Sequence, residues 1–234
     1  MITNSELRRE AIKGDCKSMC ILAMRYFDGF TTRRSPEKGL ELVKKAQRKK
    51  CPYAIYLLGY YYKHYAYSPK KEDKIKDLFT QANRELKELA DKEDAFACYC
   101  VGMINRKNTD AASKKEVIRL FKIAANAGMT EAQYELGLIY MNDSKQAENA
   151  KTLIYQAANK GYHKAQKAMG DIYSYGKLGQ TASPEVAYEF YNKAARNGNH
   201  VAMRIIGEKY LANGNKERAQ YWIRKANSRK SIDL

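Results

Sequence analysis

The chain has 234 residues, 44% of them hydrophobic, and 43 lysines and arginines against 26 aspartates and glutamates give it a formal net charge of +17. That apolar share permits a core, four prolines and fourteen glycines argue against long disordered linkers, and no apolar run approaches the ~20 residues needed to cross a bilayer. The opening MITNSELRREAIKGD carries charges where a signal peptide is apolar, so a cytoplasmic protein is expected unless a specialised secretion or host-delivery route moves it.

In chain order, the sequence predicts a capping helix over about 3–13 that ends at Gly14. Six helix pairs follow, over about 16–50, 52–92, 95–128, 130–161, 163–198 and 200–230, and the whole of 1–234 reads as a single domain. The first helix of each pair carries one pattern: SMCILAMRY, YAIYLLGYYY, AFACYCVGMIN, EAQYELGLIY, KAQKAMGDIY and VAMRIIGEKY. Its small residue falls at 23, 59, 102, 137, 170 and 207, at intervals of 36, 43, 35, 33 and 37. Small residues on facing sides let two helices approach closely, and a periodicity of this kind is the mark of a stacked repeat.

The second helix of each pair has its own marks. Phe121, Ile154 and Tyr191 each stand three residues before an Ala-Ala pair, and Gly128, Gly161 and Gly198 follow as left-handed helix ends. Ser35-Pro36-Glu37 and Ser183-Pro184-Glu185 are helix starts with an N-cap, a proline and an acid at the positive dipole end. Ser113 reads as a weaker cap of the same kind. KKEDKIKDLFTQANRELKELADKED predicts one helix from near Glu72 to near Asp91.

The combination A-x-x-x-L-G-x-x-Y, a loop, an aromatic and K-A-A-x-x-G resembles the Sel-one-like repeat family, relatives of tetratricopeptide repeats, over about residues 3 to 230. The resemblance implies an all-α fold, a right-handed α/α superhelical solenoid of about six helix-pair repeats. It also implies an adaptor or scaffold that binds other proteins, a bacterial effector or immunity protein being one form. Some bacterial relatives are cysteine-rich and disulfide-stapled. Cys16, Cys20, Cys51, Cys98 and Cys100 do not follow that spacing, so buried free thiols are expected.

By analogy with tetratricopeptide repeats, the first helices line the concave face. Fixed offsets from the key small residue then give Tyr56, Tyr60, Lys63, His64, Tyr99, Arg106, Tyr134, Lys167, Asp171 and Arg204 as candidate partner-binding residues. Tyrosines offer rigid contact area, and the cations suit an acidic protein segment. The alternative is nucleic-acid or anionic-surface binding through the outer face, where Arg33-Arg34, Lys44-Lys45, Arg48-Lys49-Lys50, Lys70-Lys71, Lys114-Lys115 and Arg229-Lys230 cluster. Ser35-x-x-Lys38 has the letters of a serine–lysine acylase without its partner motifs, and capping accounts for the serine. His163 and His200 read as equivalent loop positions before a helix. No catalytic role, metal or cofactor is expected, and the letters leave the oligomeric state open.

Overall fold

The computed structural model describes residues 3–230, with side chains up to 228. Those residues form thirteen α-helices and no strand. α1 (Asn4–Lys13) is followed by α2 (Cys16–Asp28) with α3 (Pro36–Arg48), α4 (Pro52–His64) with α5 (Glu72–Asp91), and α6 (Ala95–Asn105) with α7 (Ala111–Asn126). Then come α8 (Thr130–Tyr140) with α9 (Ala147–Asn159), α10 (His163–Ser174) with α11 (Pro184–Arg196), and α12 (His200–Ala212) with α13 (Lys216–Lys230). The chain divides into two compact units, the first ending at Ala132 and the second starting at Gln133.

In the first unit, α1 packs on α2, and each even-numbered helix packs on its odd-numbered partner and on the helix before it. Leu7, Phe27, Leu57, Leu86, Leu120 and Phe121 are wholly buried, each contributing about 1.5–3 kcal/mol through removal from water. In the second unit, Ile154, Tyr162, Met169, Ile172, Met203 and Ile206 do the same work.

The key glycines set the helix spacing. A β-carbon on Gly102 would come within 2.8 Å of the Phe121 ring, one on Gly137 within 2.6 Å of Ile154, and one on Gly207 within 2.8 Å of Ile223. The first pair reverses the arrangement. There the key position is Ala23, and Gly39 on the second helix takes the close approach: a β-carbon on it would come within 2.5 Å of the Phe27 ring. The same seam is kept because the bulky ring has changed helices together with the missing side chain.

The helix ends follow the sequence with some differences. Gly128, Gly161 and Gly198 adopt φ of +84°, +87° and +100°, and Ser35 and Ser183 accept from the backbone N–H groups of Lys38 and Val186. Asp110, not Ser113, caps α7, accepting from the Ser113 N–H at 2.8 Å. The helix therefore starts three residues earlier than the serine suggests, because an aspartate there already satisfies that donor. His163 and His200 are the first residues of α10 and α12 instead of loop residues. The side chains of the Arg229-Lys230 pair lie outside the described residues.

The cysteine expectation is corrected. Cys16 and Cys51 form a disulfide with their Cα atoms 5.9 Å apart, while Cys20, Cys98 and Cys100 are free and buried. The bond joins the beginning of α2 to the residue that precedes α4, a separation of 35 residues.

Candidate partner-binding site

In the first unit the expected residues fall at the C-terminal end of α4 and just past α6. Tyr60 lies in a stack of rings, 5.9 Å from Phe27 and 4.3 Å from the imidazole of His64. Its hydroxyl donates to Asp28 at 3.0 Å. Burial and the Asp28 carboxylate hold the Tyr60 phenol well above its usual pKa, so it stays a neutral donor. Lys63 is exposed, with its ammonium 5.7 Å from the centre of the Phe79 ring. Its pKa is pushed down, first by partial burial and then by repulsion from Lys107 and Arg106. Lys63, Arg106 and Lys107 thus form one patch of positive charge beside an aromatic shelf.

Tyr56, its ring 6.4 Å from that of Tyr60, and Tyr99 do not reach the surface. Both are buried, at 3% and 4% exposure, and their rings lie 6.0 Å from Phe79 and 6.2 Å from Phe121. In these two repeats the position three before the key glycine turns towards the second helix of its own pair, and these two tyrosines are core.

In the second unit Tyr134 is half-buried, with its ring 5.4 Å from that of Tyr162 in an edge-on contact. Lys167 donates to Asp171 at 2.6 Å, one helical turn on. Asp171 also accepts from the Tyr191 hydroxyl at 2.9 Å. Both carboxylate oxygens are engaged, so the Lys167 charge is largely cancelled where it stands. Arg204, at the same position of the next repeat, is half-buried. The structure thus brings Tyr60, Lys63, His64 and Arg106 together, and separately Lys167 with Asp171.

One further feature lies inside the first unit and was not legible in the sequence. A cavity of about 180 Å³ is walled by Ile21 and Met24 of α2, Phe96 of α6, and Thr130 and Glu131 at the start of α8. The Thr130 hydroxyl is buried and has no hydrogen-bond partner among the described residues. Arg25, 6% exposed, reaches Asn4 Oδ1 at 2.6 Å on the same side. No spacing rule brings these distant letters together, since they meet only when residues 130 and 131 come up against α2 and α6 within the first unit. Among the described residues no cluster of His, Cys, Asp and Glu could hold a metal, and no helix is long and apolar enough to cross a membrane.

Comparison with known proteins agrees with this architecture. The Sel1 repeat matches residues 16–48, 130–162, 163–199 and 202–231. The pairs α4/α5 and α6/α7 fall outside these segments. No curated protein matches the chain in sequence. Among solved structures, a Sel1 repeat protein from Oxalobacter formigenes is similar at a TM-score of 0.59 and 21% identity, over 91% of this chain and 85% of that one. The immunity protein Pa5087 from Pseudomonas aeruginosa is similar at 0.59 and 16%, over 94% and 84%. Pseudomonas aeruginosa 5086 is similar at 0.60 and 18%, over 94% and 84%. These identities speak for a shared fold, and the repeat matches cover more than half of the residues: the chain belongs to the Sel1 repeat family.

Proposed function

We propose that this protein is a non-catalytic binding scaffold, and that the ends of α4 and α6 take an acidic segment of a partner protein. The observation that carries the reading is the exposed Lys63 ammonium, 5.7 Å from the centre of the Phe79 ring, whose pKa is lowered by burial first and then by Lys107 and Arg106. A carboxylate-rich segment is complementary to cations placed beside aromatic rings. The neighbouring Tyr60 and His64 rings add rigid contact area. A role as an immunity protein, in which the partner is a toxin, is one form of this scaffold, and it is supported by the fold shared with Pa5087.

The test is affinity capture from the native host with the wild-type chain and with Lys63→Glu/Arg106→Glu, both checked by circular dichroism. The expected result is a protein with an acidic segment, retained by the wild type and lost by the variant. Recovery of the same proteins on both baits overturns the reading. Binding to nucleic acid is the competing reading, and retention of nuclease-sensitive material with a steep salt dependence would favour it.

A further inference from the structure

The first three helices hold a second feature that the reading above does not use. α1 and α3 each pack on α2, and between them lies an open trough of about 740 Å³. Its floor is apolar, made by Met19 and Leu22 of α2 with Ala11 of α1 and Leu42 of α3. Ile12 stands on its lip with 87% of its surface exposed. The rim is cationic: Arg8 and Lys13 come from α1, Lys38 and Lys45 from α3, and Lys49 caps the end of α3. Glu41 lies along it, paired with Lys45 at 2.8 Å, and Lys13 is paired with Glu10 of α1 at 3.1 Å, so Arg8, Lys38 and Lys49 supply most of the rim's positive charge. A smaller recess with Arg33 shares Arg8, Tyr26 and Lys38 as its wall, which extends the positive surface.

We propose that this trough is a docking site for an acidic amphipathic helix of a partner protein. Two properties of the site select that occupant. Phosphate contacts along a nucleic acid require cations but no apolar floor, whereas a helix with one apolar stripe and carboxylates beside it matches floor and rim together. A second copy of this chain is a poor occupant, because each copy carries +17 and the rims would repel. The dimensions agree: Lys38 to Lys49 span about 16 Å along α3, the length of about three helical turns. Ile12 would close over the occupant's apolar stripe, which accounts for a large aliphatic side chain left in water beside a groove.

The probe is a fluorescein-labelled, end-blocked 16-residue peptide of leucines on one helical face and glutamates elsewhere. A scrambled peptide of the same composition, an oligo-deoxythymidine and phosphatidylserine vesicles serve as comparisons. The expected result is saturable binding of the peptide at physiological salt, weakened about tenfold by Lys38→Glu/Lys49→Glu and about threefold or more by Ile12→Ser. The scrambled peptide should bind less well, and Lys114→Glu/Lys115→Glu should change nothing. All the substituted side chains are exposed, and melting curves verify that each variant is folded. Absence of peptide binding, equal binding by all variants, or equal binding of both peptides overturns the proposal. Variant-sensitive binding of the oligonucleotide or the vesicles without the peptide overturns it in favour of those ligands. Lys63→Glu/Arg106→Glu should leave the peptide's affinity unchanged, which separates this trough from the α4/α6 site, and a loss of binding in that variant as large as in Lys38→Glu/Lys49→Glu overturns the proposal.

Discussion

The ring of Tyr191 fills the place where Gly170 would carry a side chain, with two of its carbons 2.5 Å from that β-carbon position. Its hydroxyl is tied to Asp171 at 2.9 Å, so the ring cannot swing away without breaking a hydrogen bond. Gly170→Ala gains about 1 kcal/mol in helix propensity but meets an overpacking cost of about 1–3 kcal/mol plus the strained hydrogen bond. A net loss of about 1–2 kcal/mol is expected. Gly59→Ala is milder, because its β-carbon would stand 3.2 Å from Phe79, whose ring carries no hydroxyl to anchor it. Urea denaturation of the two variants checks the order, and a Gly170→Ala protein as stable as Gly59→Ala would contradict it.

Lys50 and Glu93 occupy the helix-ending position that glycine fills in later repeats. Their φ angles are +56° and +61°. The hydrogen bonds are also the same: Lys50 N–H to Gln47 and Cys51 N–H to Ala46, as Gly128 N–H to Ala125 and Met129 N–H to Ala124. A side chain in that conformation is strained by about 1 kcal/mol, and a C′ glycine relieves it. Lys50→Gly and Glu93→Gly are each expected to stabilise the protein by up to about 1 kcal/mol, nearly additively because they end different helices. Thermal melts of the single and double variants measure this, and a lowered melting temperature in both singles would refute the shared-cap account.

These two positions show where the sequence stops being readable. The repeat period survives in the letters because close helix approach excludes almost every residue but glycine or alanine, as at Gly102 and Gly137. A left-handed helix end only prefers glycine, so its equivalents at 50 and 93 vanish into ordinary surface letters. The disulfide was hidden for a different reason. Cys16 and Cys51 are one repeat apart, but a pairing seen as short spacings within the chain does not reveal neighbours that meet through stacking. Tyr56 and Tyr99 were misplaced because offsets borrowed from a related repeat decide the face of a helix only to within one residue's rotation. The cationic trough has letters that were visible as the Lys44-Lys45 and Arg48-Lys49-Lys50 clusters, yet its apolar floor depends on how α1 and α3 straddle α2.

The disulfide gives a chemical test of the first unit. Closing a loop of 35 residues restricts the unfolded chain and is worth about 2–4 kcal/mol. Reductant, or Cys51→Ser, should therefore lower the melting temperature of the wild type, and reductant should have no further effect on Cys51→Ser. The free thiols should be inert: burial pushes the Cys20 thiol up to about 12 and the Cys98 thiol up to about 11. Native alkylation at neutral pH should label no cysteine before reduction and Cys16 first afterwards, since Cys51 is 3% exposed while Cys16 is half-buried. Peptide mass mapping reads the sites, and labelling of Cys20 ahead of Cys16 would contradict the packing described.

Asp94 joins two parts of the first unit that are distant in sequence. It caps α6 by accepting from the Ala97 N–H at 2.9 Å, and it forms an ion pair with Lys17 of α2. Burial pushes its carboxyl up, but hydrogen bonds from Lys17 and Ala97 outweigh that and hold its pKa below the usual carboxylate value. A depressed folded pKa contributes stability that is complete above the unfolded value of about 4 and is lost as the pH falls through the folded one. Asparagine caps a helix as well as aspartate, so Asp94→Asn removes the charge and keeps the cap. The expected loss is about 1 kcal/mol, kept small because Lys17 is more than a third exposed. Asp94→Ala loses the cap as well and should cost about 1 kcal/mol more. The gap between wild type and Asp94→Asn should be constant from pH 7 to about pH 5 and close below about pH 4. Denaturant melts across that range measure the gap, and one that widens in acid would show that the carboxylate is destabilising where it stands.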